Sequence, residues 1–262
     1  MSCDLKRLDL ALETDTRIAH CEKHGEFSSR GIRLSPSFEW IWEQCPKCMA
    51  ELAELERKQS VYERASNILH HQCRVLNRKN AIPVRYQRKS FADIRTANNQ
   101  QEEVKKCCQF YVEKFGGHWR SHGTGLTFYG GHGLGKTLHS TVILQALFPH
   151  VVGCYVTMPE FLFLMGGTHG GNQTDPQEVF RLLSTTPLLV LDEFGTANWP
   201  NEQKLVFSLF DTRYRNCLPT ILITNLTPVE LQRLDLALHS RLTESSIFVP
   251  FAGVDYRMSR QT

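Results

Sequence analysis

The strongest chemical signal in the chain is the run Gly130-Gly131-His132-Gly133-Leu134-Gly135-Lys136-Thr137, followed by Leu138. Its G-x-x-x-x-G-K-[ST] spacing is that of a phosphate-binding loop. Glycines leave successive backbone N–H groups free to turn inward onto phosphate oxygens. A helix beginning at Lys136 would add its positive dipole end. Lys136 is then expected to reach the β- and γ-phosphates, and the Thr137 hydroxyl to bind Mg²⁺. A glycine-rich turn without a ligand would explain neither Lys136 nor Thr137. The loop by itself does not specify the nucleotide base.

Two further segments supply groups that such a loop needs. Leu188-Leu189-Val190-Leu191-Asp192-Glu193 is an apolar run ending in two acids. Ligands of α/β sheets bind at the carboxyl ends of the strands. Asp192 is therefore expected in the Mg²⁺ shell, and Glu193 to orient or deprotonate an attacking water. Ile221-Leu222-Ile223-Thr224-Asn225 is a second apolar run with a polar end. Asn225 is expected to hydrogen-bond the γ-phosphate or the water. Arg213, Arg215 and Arg241 are candidates for a guanidinium that reaches a neighbouring subunit's γ-phosphate.

A separate cluster lies near the start. Cys21-Glu22-Lys23-His24 and Cys45-Pro46-Lys47-Cys48 are two C-x-x-[CH] knuckles separated by twenty residues. Cys21, His24, Cys45 and Cys48 would fill the tetrahedral sphere of Zn²⁺, leaving no position open for catalysis. The site is expected to be structural, its affinity supplying folding energy to a segment with little core.

The elements that must position these groups are legible from periodicity. Strands are expected near 126–129, 152–157, 187–191, 219–224 and 246–250. Helices are expected near 136–147, 159–165, 176–184, 201–215 and 228–236. Continuously apolar strands alternating with helices indicate a parallel sheet covered on both faces. Thr227-Pro228 with Glu230 forms a helix-start signature. Residues 49–79 lack Gly and Pro and read as one long helix, with Leu55, Tyr62, Leu69 and Leu76 every seven residues. That stripe suits either a partner helix or the chain's own body. Pro83 is expected to terminate the helix. A short helical start is expected before the knuckles, and a mobile loop at Gly166–Asn172. The expected division is 1–50, a small helical zinc-binding module; 51–80, the long helix; and 81–262, a nucleotide-binding domain.

Composition bounds the class. The chain has 262 residues, 41% hydrophobic and 22% charged, with a net charge of +3. No apolar run is long enough for a membrane span, and the first residues lack a signal-peptide core, so a cytoplasmic protein is expected. Nine cysteines in an unexported chain favour thiols and metal over disulfides. From Arg74 to Arg95 seven basic residues face one acid, Asp93, which suits phosphate contacts on single-stranded DNA.

Taken in order, these segments resemble the Walker A, Walker B, sensor 1 and arginine-finger motifs of AAA+ ATPases. Ile82-Pro83-Val84-Arg85-Tyr86 with Ser90-Phe91 and Ile94 is similar to the lead-in of the DnaC/DnaI helicase loaders, and Asp255-Tyr256-Arg257 to their ending. The resemblance covers residues 82–257, while the zinc knuckles resemble those of phage and prophage DnaC-like proteins. It implies a reduced AAA+ fold with a five-stranded parallel sheet and no lid domain. It also implies ATP and Mg²⁺ as ligands, Arg241 as a finger acting in trans, and ATP-dependent self-assembly. Arg257 is the candidate for a sensor 2 arginine. The implied function is loading a replicative hexameric helicase onto single-stranded DNA, with hydrolysis slow until partner and DNA are present. Two alternatives are weighed. A transposition helper of the IstB type shares the core, but the knuckles argue against it. A non-hydrolysing ATP-binding adaptor is disfavoured by Glu193.

Overall fold

The computed structural model describes residues 13–33, 36–37, 39–76, 78–166, 174–195 and 202–253, without the side chains of 118, 202 and 203. The expected helical start, residues 167–172 of the glycine-rich loop, and Arg257 with its Asp255–Arg257 segment lie outside these residues. The chain divides into two compact units, 1–62 and 63–262.

The first unit corrects the expectation of a helical module. Strands β1 (Glu13–Cys21) and β2 (Gly25–Arg33) form an antiparallel hairpin, and β3 (Ile41–Trp42) extends it. Thr14, Thr16 and Ile18 alternate with Asp15, Arg17 and Ala19, the period of a strand rather than a helix. Gly25, at φ 77°, closes the hairpin turn in a conformation most side chains avoid. Little apolar surface is buried here. The Arg17 guanidinium lies 4.0 Å over the Trp42 ring and that of Arg33 4.7 Å over Trp40.

Helix α1 (Pro46–Val75) begins at the second knuckle and crosses the boundary between the units. The seven-residue stripe splits along it. Leu55 and Tyr62 are exposed, whereas Leu76, just past the helix, is buried in the second unit's core. The helix ends well before Pro83. Val75 and Leu76 plug into the core, and Arg78 turns away to Glu160 and the Ala81 carbonyl. Arg78 is thereby withdrawn from the expected phosphate-contacting set, and Lys89 is paired with Asp93. Arg74, Arg85, Arg88 and Arg95 stay exposed.

The second unit continues with α2 (Asn99–Lys114), β4 (Gly125–Tyr129), α3 (Lys136–Leu147), β5 (Cys154–Thr157) and α4 (Met158–Met165). Then come α5 (Pro176–Thr185), β6 (Leu189–Phe194), α6 (Glu202–Arg215), β7 (Thr220–Thr224), α7 (Pro228–Leu234), α8 (Leu236–Ser245) and β8 (Ser246–Pro250). The five strands are parallel in the order β5-β6-β7-β4-β8. Both faces are covered, as the unbroken apolar runs require. Val156, Leu189, Leu191 and Leu222 enter one core, and Leu126, Phe128, Val190, Ile221 and Ile223 the other. The helix expected over 228–236 is α7, which ends at Leu234, and a second helix, α8, follows it where none was expected. Asp235 leaves helical geometry at φ −154° and ends α7, and its carboxylate accepts from Leu238 N to begin α8. No helix among the described residues is long and apolar enough to cross a membrane.

Arg213, a finger candidate from its sequence position, is instead a structural residue. It is 1% exposed. Its guanidinium donates to the carbonyls of Leu183 (2.7 Å), Thr186 (2.9 Å) and Pro219 (2.6 Å) and to Thr220 Oγ1 (2.9 Å). Burial pulls its pKa down to about 9, which leaves it charged at neutral pH. Arg213→Met would strand these acceptors away from water. We expect a loss of at least about 3 kcal/mol in urea unfolding. Arg213→Lys, with three donors and no fork, should recover only part of it.

Candidate functional site

The loop between β4 and α3 begins at Gly130, whose φ is 130°. A Cβ there would lie 2.0 Å from the Phe251 carbonyl oxygen, so only glycine fits. Gly135, at φ 89°, starts α3 and directs the next side chain, Lys136, back over the loop. Lys136 is buried, and its Nζ donates to the carbonyls of Gly130 (2.5 Å) and Gly131 (2.6 Å) and to Asn225 Oδ1 (2.9 Å). Asn225 Nδ2 also lies 3.3 Å from the exposed His132 ring. The loop lysine and the polar residue after β7, 89 positions apart, thus share one hydrogen bond.

Asp192 is the centre of the second half. It is 3% exposed, and its two oxygens are filled by protein donors. Oδ1 accepts from Glu193 N at 2.8 Å. Oδ2 accepts from Thr137 Oγ1 at 2.8 Å and from Tyr155 Oη at 2.9 Å. Burial, reinforced by the Asp192 charge, pushes the Tyr155 hydroxyl upward, so it remains a donor. Tyr155 is a site residue missed from the sequence. Its only signal was an aromatic with a polar tip near the end of an apolar strand. Thr137 and Asp192 together present hard oxygens of the kind Mg²⁺ takes.

Glu193 is exposed and sits at φ 63°, where the β6–β7 register shifts between Leu191 and Phe194. A glutamate held in the left-handed region is uncommon, and such strain concentrates at functional sites. Thr224 Oγ1 ties the strand ends together, donating to the Phe194 carbonyl at 2.9 Å. Gly130 to Leu138, Asp192, Glu193 and Asn225 therefore meet at one edge of the sheet.

Arg241 makes other contacts. Its Nε and Nη2 donate to Asp211 Oδ1 at 2.9 and 2.7 Å, and Nη1 to the Ala237 carbonyl at 3.2 Å. The guanidinium lies 4.6 Å over Phe207 and 5.7 Å from the centre of Tyr214. Asp211 also holds Arg215 at 2.8 Å. Arg241 is partly exposed and clamped in one orientation within its own chain.

In the first unit the four knuckle residues converge, with their ligand atoms all within 4.8 Å of one another. His24 Nδ1 lies 3.7, 3.6 and 3.3 Å from the sulfurs of Cys21, Cys45 and Cys48, and the Cys21 and Cys48 sulfurs are 3.6 Å apart. Ordinary Zn–S and Zn–N bonds around a tetrahedron put sulfurs about 3.8 Å apart and sulfur about 3.6 Å from nitrogen. The donor set and spacing fit zinc. The N–H groups of Lys23 and then His24 lower the Cys21 thiol to about 6, whereas its bond with Cys21 raises the Cys48 thiol to about 11. Cys45 accepts from Met49 N through its carbonyl, so both second-knuckle sulfurs sit at the start of α1.

This fold and site are those of a P-loop unit, with a five-stranded parallel sheet and a glycine-rich loop between β4 and α3. The sequence matches no protein-family model and no curated protein. The fold matches the crystal structure of DnaI at a TM-score of 0.57 and 19% identity, covering 66% of this chain and 93% of that one. It matches the crystal structure of the DnaC helicase loader at 0.57 and 22%, covering 65% of this chain and 100% of that one. The replication initiator DnaA bound to AMPPCP and single-stranded DNA matches at 0.53 and 19%, covering 66% of this chain and 51% of that one.

His139 lies directly behind the loop. It is buried, its Nδ1 is 2.9 Å from the Gly135 carbonyl, and burial lowers its pKa to about 4 from 6.5. In the unfolded chain the ring takes its proton near 6.5; in the folded chain it resists until about 4. Stability is therefore greatest above 6.5 and is lost as pH falls through this window, by on the order of 3 kcal/mol. Urea unfolding at stepped pH should show that slope, and His139→Leu should flatten it.

Proposed function

We propose that this chain is an ATP-dependent loader that places a replicative hexameric helicase on single-stranded DNA. The observation that carries the reading is the pairing of a complete P-loop constellation with a fold that covers the whole solved DnaC loader chain.

In this reading residues 130–138 cradle the phosphates of ATP. Lys136 exchanges its carbonyl and Asn225 partners for phosphate oxygens. Thr137 and Asp192 hold Mg²⁺, which would neutralise charge developing on the phosphates. Tyr155 and Glu193 N–H keep the Asp192 carboxylate aimed at Thr137. Glu193 accepts a proton from the attacking water, and Asn225 orients that water or the γ-phosphate. Arg241, released from its Asp211 partner, acts on the ATP of a neighbouring copy, so that ATP drives self-assembly. Residues 1–50, stapled by zinc, and the helix of 51–80 contact the helicase. Residues 81–262 form the motor, and exposed arginines such as Arg85 and Arg88 grip the DNA backbone. The chain acts in the cytoplasm during replication initiation.

Co-purification with the replicative helicase of the same host, with and without ATP, tests this. We expect an ATP-dependent complex that is lost on deleting residues 1–62. Lys136→Ala should abolish nucleotide binding. Glu193→Gln should bind ATP yet lose at least about 100-fold in turnover with helicase and single-stranded DNA present. Absence of any helicase complex, with strong duplex-DNA binding instead, would sink the proposal in favour of transposition.

A further inference from the structure

His24 has two ring nitrogens, and they face different partners. Nδ1 looks onto the three cysteine sulfurs at 3.3 to 3.7 Å. Nε2 lies 3.2 Å from Glu51 Oε1. Glu51 stands on α1, three residues past Cys48, on the helix face that carries that ligand. Its second oxygen, Oε2, accepts from Lys23 Nζ in the hairpin turn. One carboxylate thus spans the two knuckles, bonding to Lys23 and His24 of the first from the helix that carries Cys48.

We infer that Glu51 is a positioning residue of the zinc centre, holding His24 in its Nε2–H tautomer so that Nδ1 is the metal-binding atom. The chemistry follows from the donor set. A carboxylate accepting from a ligating imidazole fixes the ring's orientation and raises the basicity of its other nitrogen. Three thiolates and a neutral imidazole around Zn²⁺ carry one net negative charge. Glu51 adds a second, and the Lys23 ammonium offsets it. This inference rests on the zinc reading of Cys21, His24, Cys45 and Cys48.

The competing description is an exposed ion pair, Lys23–Glu51, of the kind that contributes little. The two differ in what they do to the metal. Zinc content of the purified full chain is measured first, then affinity by competition with a chromogenic chelator. We expect one zinc per chain, and affinity 10- to 100-fold weaker in Glu51→Ala. Glu51→Gln, which keeps an acceptor oxygen but not the charge, should fall between. In ¹⁵N spectra of the wild-type chain, His24 should show a metal-bound Nδ1 and a protonated Nε2. That readout requires no variant to fold. Unchanged zinc affinity in Glu51→Ala, or a metal-bound Nε2 in the wild type, would overturn the role of Glu51 alone. A wild-type chain that takes up no zinc would overturn the zinc reading, and this inference with it.

Discussion

When every strand of a sheet runs the same way, every carboxyl end falls on one edge. That constraint organises the second unit. The loop leaves β4, the paired acids end β6, and Asn225 follows β7. Parallel register then brings residues far apart in sequence within hydrogen-bonding reach. Thr157 pairs with Asp192, which sets Tyr155 one side-chain repeat below the acid on the neighbouring strand. Phe128 pairs with Ile223, so the exits of β4 and β7 lie side by side and Lys136 meets Asn225. The hydrogen bonds of the site are consequences of register, and register is enforced by two cores that each accept alternate side chains of the same strands.

Much of this was legible in the sequence because it is locally encoded. A glycine-rich loop between an apolar strand and a helix declares itself within twenty residues, and α3 matches its expected span. Acids at the end of an apolar strand are equally local. Tyr155 was not legible, since its role depends on which strand lies beside β5 and in what register. Arg213 and Arg241 could not be separated from sequence either. Both are arginines near predicted helices, and only packing shows that one is sealed among carbonyls while the other is clamped at the surface.

The first unit was misread for a different reason. Its two long strands bury little on either face, so the alternation of Thr14, Thr16 and Ile18 is faint beside the cysteine spacing. The converging Cys/His cluster and ring-stacked arginines take the place of an apolar core there. The convergence of Cys21, His24, Cys45 and Cys48 was legible because knuckle spacing is a local geometric requirement. The register of α1 against the hairpin, which brings Glu51 to His24, was not.

Arg213 bonds to Thr220, the first residue of β7, while the site uses Asn225, just past the last. At the rise of a parallel strand these points are separated by roughly 15 Å. The chain has thereby divided its sheet into an anchored end and a working end. Substitutions at the carboxyl edge can reshape the candidate site without touching the carbonyls that Arg213 gathers. Changes near Leu183, Thr186, Pro219 or Thr220 would instead be felt as folding defects in every functional variant. A family built on this plan would diversify at one edge and stay fixed at the other.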